Sequence, residues 1–294
     1  MKSSVLSLLI LAACSASLRA DTLPLNTVFV GQDRFKDVAK LAIPKLDRLQ
    51  ALPVGERVAW FGQVLVGTPY KGYTLEIHDH VEAASCNLHG LDCWTFFESA
   101  LAFARMCELP PEQWTPQHML RHIELDRYWG GKCTGSYLSR LHYLEDWARD
   151  NDKRNLVDDL TRKLGGIGVP NSAREMTVNA DHYRYMKNSS TNRAGIAKLE
   201  AQLRERPLYM IPKSKVPGIE PKLQNGDIIG IISKDGTAYG TSHVGIALRK
   251  DGVLRFMHAS SPRNYGKVVV DSRLYDYLNR YKSHAGILVA RPVK

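Results

Sequence analysis

The sequence predicts an α+β protein. The first two thirds of the chain carry apolar residues at helical spacing. The last third breaks into short β-branched runs separated by Gly, Asp and Asn, and no internal repeat or low-complexity tract interrupts either part. Hydrophobic residues make up 44% of the 294, enough to build a core, which excludes disorder as the main state.

The elements follow in order. Met1-Lys2 precedes a short apolar run, Val5 to Ala13. A helix needs about 20 residues to span a bilayer, so this run reads instead as an export signal over residues 1–20. Leu11-Ala12-Ala13-Cys14 also resembles a lipobox, which would make Cys14 a lipid-anchored first residue; cleavage after Ala20 is the plain-secretion alternative. Residues 21–294 then read as a single domain. Pro53 to Gly67 has helical spacing, with Val58, Phe61, Val64 and Leu65 on one face, until Gly67-Thr68-Pro69-Tyr70 breaks it. Asp92 to Met106 is the next helix. Trp114 to Leu125, Tyr137 to Asn151 and Ala194 to Arg204 are further helical patterns in a polar, helical insertion spanning about Glu108 to Pro207. Beyond it, DIIGIIS, SHVGIAL, LRFMHAS, KVVV and AGILVARP read as strands of an antiparallel sheet.

The formal charge of +10 favours polyanionic surroundings. No Lys/Arg run is interleaved with aromatics, so nucleic acid is not the expected partner. The cysteines are Cys14, Cys86, Cys93, Cys107 and Cys133, too few for a disulfide scaffold. In an oxidising compartment one bridge among Cys86, Cys107 and Cys133 is open, and spacing does not choose it.

Cys93 stands out by position. Asp92 is a natural helix N-cap, which makes Cys93 the first helical residue. The helix dipole there favours a thiolate by at most about 1–2 kcal/mol. Moving a thiol from about 8.5 to about 4 needs roughly 6 kcal/mol. A histidine that accepts the proton is therefore required, as a thiolate–imidazolium pair. In TSHVGIALRKDGVLRFMHASS, Val244, Ile246 and Leu248 alternate with His243, Gly245 and Ala247, giving a core face and a face of small residues behind a histidine. Asp251-Gly252 signals a hairpin turn. Closing it there sets His243 opposite Ser260 and Gly245 opposite His258. The two histidines are then diagonal neighbours, about 7–8 Å apart at Cα, with Gly245 leaving room for the His258 ring. One imidazole can orient the other, as a Cys–His–polar triad requires. The competing reading of HDHVEAASCNLHGLDC is a zinc site from His78, His80, Cys86, His89 and Cys93, but its spacing matches no structural zinc pattern. No metal or other cofactor is expected.

DCWTFF, SHVGIAL and MHASS resemble the NlpC-like cell-wall peptidases, a branch of the papain-like cysteine hydrolases. In a narrower match, TPYKGYTLE, LDCWTFFE, SYLSRLHYLEDW, NGDIIGI and HASS, in that order, are similar to the N-acetylmuramoyl-L-alanine amidase-like family, from about Leu52 to Pro292. The resemblance implies a papain-like NlpC core, with the nucleophile helix packed on an antiparallel sheet. It makes Cys93 the nucleophile, His243 the base, His258 the orienting residue and Tyr70 an oxyanion donor beside the Cys93 N–H. The implied substrate is a peptidoglycan fragment, a muropeptide, cut at the lactyl–L-Ala amide in the periplasm. Arg140 is the candidate contact for substrate carboxylates, with a plain surface salt bridge as its alternative. Tyr143 and Glu76 are candidates for sugar or amine contacts, and Trp94 is placed to narrow the site. An NlpC-type endopeptidase and a muropeptide-binding lipoprotein without turnover are the rival functions.

Overall fold

A computed structural model describes residues 23–78 and 81–293. The export signal, Cys14 and His80 lie outside the described residues.

Among the described residues the first strand is β1 (Phe29–Val30), which pairs in parallel with β2 (Cys86–Asn87). The helices α1 (Gln32–Ala42), α2 (Leu46–Gln50), α3 (Val54–Val64), α4 (Cys93–Met106), α5 (Pro116–Arg127) and α6 (Leu144–Lys153) make up the front. Then come β3 (Val157–Asp159), β4 (Ile167–Val169), α7 (Glu175–Val178), α8 (Arg184–Lys187), α9 (Ser190–Arg204), β5 (Leu208–Pro212) and α10 (Val216–Ile219). The back is β6 (Ile228–Asp235), β7 (Ala238–Lys250), β8 (Val253–Ala259), β9 (Val268–Arg273), α11 (Leu274–Asn279) and β10 (His284–Pro292). The main sheet runs β4-β5-β10-β6-β7-β8-β9, antiparallel throughout, with β3 also on β10.

Every residue of α4 from Thr95 to Met106 is buried, so this helix is the centre of the front layer. Phe103 explains part of why: it stacks on Phe35 at 5.7 Å and on Phe61 at 5.4 Å, joining α1, α3 and α4. The sheet is covered on both faces. Val244, Ile246, Leu248 and Met257 join the core that holds α3 and α4, while Ile229, Ala247, Phe256 and Tyr277 form a second core under α10 and α11.

Two expectations are corrected here. The Tyr137 to Asn151 helix begins only at Leu144; Tyr137–Ser139 is a short 3-10 turn, and Arg140 is extended, bridging to Tyr128. The buried ion pairs of Arg140, described below, hold the chain out of helix at that point. The polar insertion is also not purely helical, because β3 and β4 leave it to join the sheet.

Candidate active site

A cavity of about 1130 Å³ opens where the start of α4 meets β7. Its floor includes Tyr70, Cys93, Trp94 and His243.

Cys93 is the first residue of α4, as its spacing from Asp92 predicts. The Thr95 N–H donates to Asp92 Oδ1 at 2.8 Å, and the Asp92 N–H donates to Thr95 Oγ1 at 2.9 Å. This reciprocal capping box fixes the helix start, and so fixes the sulfur. Hydrogen bonds from Leu91 N–H to the Pro69 carbonyl (3.0 Å) and from Lys71 N–H to the Leu91 carbonyl (3.1 Å) lay the Tyr70 segment alongside. Burial, and then the nearby Cys93 and Asp92, hold the Tyr70 phenol above its ordinary value, so it stays a proton donor.

β7 supplies the opposite wall. His243 and Val244 of β7 line the cavity together with Cys93. Asp251 and Gly252 turn the β7–β8 hairpin with φ of 53° and 75°, as a two-residue primed turn requires. The pairs Lys250↔Val253 through Ile246↔Met257 carry the register that sets Gly245 opposite His258. His243 Nε2 and His258 Nδ1 lie 2.8 Å apart, with the rings edge to face at 87°. Between Cys93 and His243 no hydrogen bond forms in this resting geometry. Such bonds commonly tighten only when substrate arrives.

Gly245 plays a different part from the one its size suggests. A Cβ there would stand 2.5 Å from the Met257 carbonyl oxygen and 2.7 Å from the Phe256 ring. The space is filled by Phe256, which stacks on His258 with ring centroids 4.8 Å apart. The helix α4 packs on the other side, against Val244 and Ile246.

The sequence reading missed the continuation beyond His258. His258 Nε2 is 3.3 Å from Asp271 Oδ2, and Arg280 donates to both oxygens of Asp271 at 2.9 and 2.6 Å. The available signal was an aspartate closing the apolar run VVVD.

Burial works against the expected thiolate–imidazolium pair. Burial first, then Asp92, pushes the Cys93 thiol up to about 12. Burial first, then His258 and His284, pulls His243 down to about 3. Burial thus favours the neutral form of both groups, because each ion alone would sit desolvated. Iodoacetamide should therefore label Cys93 slowly at pH 7, with a rate that climbs about tenfold per pH unit up to pH 9. Fast labelling already at pH 6–7, in the Cys86, Cys107 and Cys133 triple-serine background, would contradict a neutral resting pair.

The remaining predicted residues all line the cavity, yet most are already engaged. Arg140 is 3% exposed, donates to Glu76 at 2.8 Å and lies 3.6 Å from Glu82. Its partnership is a buried ion pair, so two residues predicted to touch substrate instead touch each other. Glu76 also accepts from the Tyr185 N–H at 3.3 Å, which braces the loop. The Tyr143 hydroxyl donates to Glu200 at 2.6 Å. Trp94 is partly buried and lies 5.6 Å from the Phe97 ring.

Of the zinc-competent set, the described histidines have partners of their own. The His78 ring accepts from the Val81 N–H, and His89 faces Asp33 at 2.7 Å. Among the described residues no three His, Cys, Asp or Glu side chains gather as metal ligands. Cys86, Cys93, Cys107 and Cys133 are all unbridged, so no disulfide forms among the candidates.

A capped thiol and a histidine on one large cleft, the histidine hydrogen-bonded to a second one behind it, belong with enzymes rather than with scaffolds. Residues 60–287 match the AmiA-like, N-acetylmuramoyl-L-alanine amidase-like family. A crystal structure titled N-acetylmuramoyl-L-alanine amidase from Bacteroides uniformis is 30% identical, with a TM-score of 0.71, over 82% of this chain and 99% of that one. A Bacteroides fragilis structure, titled as a candidate xylanase, is 36% identical with a TM-score of 0.68, over 78% and 98% of the two chains. A Legionella pneumophila protein shares the fold at 22% identity and a TM-score of 0.64, over 90% and 97%. No curated protein matches. The chain belongs to the AmiA-like family.

Proposed function

We propose that this protein is a cysteine-dependent hydrolase of peptidoglycan fragments, cutting the amide between N-acetylmuramic acid and L-Ala. The observation that carries the reading is that Cys93, at the first turn of α4, and His243 on β7 line one cleft, with His243 hydrogen-bonded to His258 on β8. His243 uses Nε2 on His258, which leaves Nδ1 as the nitrogen that can take the thiol proton. The sulfur then bonds to the lactyl carbonyl carbon, while the Cys93 N–H and the Tyr70 hydroxyl steady the oxyanion. Protonated His243 returns its proton to the departing L-Ala nitrogen as the C–N bond breaks. Water, deprotonated by the same ring, hydrolyses the thioester. A papain-like core, export by residues 1–20 and, where Cys14 is lipidated, a membrane anchor belong to the same proposal.

The glycosidase name of one relative suggests a second chemistry. Hydrolysis of a glycoside ordinarily needs two free carboxyl groups facing each other across the cleft. Here Glu76 is held by Arg140, Asp92 by Thr95, Glu145 by Asn171, Glu175 by Tyr183 and Asp235 by Arg174. Each of these carboxylates already has a partner, which favours the amide reading over a sugar bond.

Mass spectrometry of defined muropeptides tests the proposal. The expected result is free stem peptide and intact disaccharide from the wild type. Dipeptide fragments would move the assignment to an endopeptidase, and no product at all to a binding protein. His258→Ala should lower kcat by about 10²-fold while leaving KM near its wild-type value, since an orienting group acts in the transition state. Wild-type activity in that variant would remove His258 from the machinery.

A further inference from the structure

We propose that Asp271 is a positioning residue that sets the tautomers of both active-site histidines. This rests on the cysteine-hydrolase reading above, but it can be tested apart from it.

The chain of contacts has a direction. Asp271 is buried, and it receives two Arg280 N–H groups at 2.9 and 2.6 Å and the Ser272 N–H at 2.6 Å. Although burial opposes it, hydrogen bonds from His258 and Arg280 hold the Asp271 carboxyl well below its usual range. An ionised carboxylate can only accept. The His258 nitrogen facing it, Nε2 at 3.3 Å, must therefore carry a proton. In a neutral imidazole the other nitrogen, Nδ1, is then an acceptor. His243 Nε2, 2.8 Å away, must donate to it. By the same rule His243 Nδ1 carries no proton. That is the form required of a base for the Cys93 thiol. One anion thus fixes a polarity that passes through two rings and ends at the nucleophile. When His243 gains a proton, the same anion sits at the far end of the relay to stabilise it.

The fold builds this deliberately at a strand irregularity. His258 pairs with Val269, so Asp271, two residues on, shares its face. The β8–β9 register shifts between Arg255 and Met257, a bulge at Asp271 and Ser272 that re-aims this stretch of β9. Arg280 arrives from the end of α11 and packs on Tyr277 at 5.6 Å. Behind His258 a small cavity of about 200 Å³ is lined by Asp271, Arg280, Tyr277 and Tyr281 among others. It is large enough for a formate ion.

Asp271→Asn is the direct test. Arg280 keeps the amide oxygen, so the amide NH₂ faces His258 Nε2 and both rings must reverse. His243 Nδ1 then carries a proton and cannot accept one from sulfur. Long-range ¹H–¹⁵N correlation spectra of histidine-labelled protein should show both rings protonated at Nε2 in the wild type and at Nδ1 in the variant. On muropeptide, kcat should fall about 10²–10⁴-fold with KM near wild type. Sodium formate should restore activity at least tenfold to Asp271→Ala and leave Asp271→Asn unaffected. Unchanged tautomers in Asp271→Asn, or a loss of kcat in Asp271→Ala that formate does not relieve, would overturn the proposal and leave Asp271 a purely structural ion pair. The tautomers are read without substrate. A failure of the hydrolase reading would appear separately, as Cys93→Ala cutting muropeptide like the wild type.

Discussion

Cys93→Ala should abolish release of stem peptide from muropeptides, a loss of 10⁴-fold or more, while the melting temperature stays within a few degrees of wild type. The sulfur is the only atom removed, and α4 keeps its Asp92–Thr95 cap and its buried stripe. His243→Ala should cost nearly as much, and the double variant little more than either, because a nucleophile and its base act as one unit. Additive losses, or a Cys93→Ala enzyme that retains a tenth of the rate, would show that the chemistry lies elsewhere in the cleft.

The largest expected effect on stability lies behind the site. Arg127 and Glu98 are each 1% exposed and joined by contacts of 2.7 to 3.3 Å, and Arg127 also donates to the Ser85 carbonyl at 2.9 Å. Arg127→Met strands a carboxylate on the fully buried helix that carries Cys93. Leaving one member of such a pair alone typically costs about 3–5 kcal/mol. Urea denaturation should show that loss, and Arg127→Met with Glu98→Leu together should regain most of it. If the double variant is as unstable as the single, the cost lies in lost packing and lost backbone hydrogen bonds rather than in the isolated charge.

The parts of the fold legible in the sequence were those governed by local rules. The Asp92 cap, the Asp251-Gly252 turn and the alternation of Val244, Ile246 and Leu248 each follow from near neighbours, and together they specify which histidines meet. What escaped depends on distant partners. Nothing near Arg140 announces that Glu76 and Glu82 will neutralise it, since those partners are brought by a loop some sixty residues earlier. Asp271 escaped because KVVV was read as a strand that ends before it, whereas β9 continues through a bulge to Arg273. The resting charge state of the thiol depends on burial, which spacing does not reveal.

The cleft is assembled from segments distant in the chain. The reactive side comes from α4 and the central strands, whereas Asn171 to Val178 and Tyr183 wall the other side and are moored through Glu200, which takes hydrogen bonds from Tyr143, Met176 and Thr177. Exchanging that outer wall between relatives would alter which molecules fit without disturbing how they are cut. Selectivity and reactivity can therefore diverge at separate rates along this lineage, and a grafted wall offers a route to redirecting the enzyme.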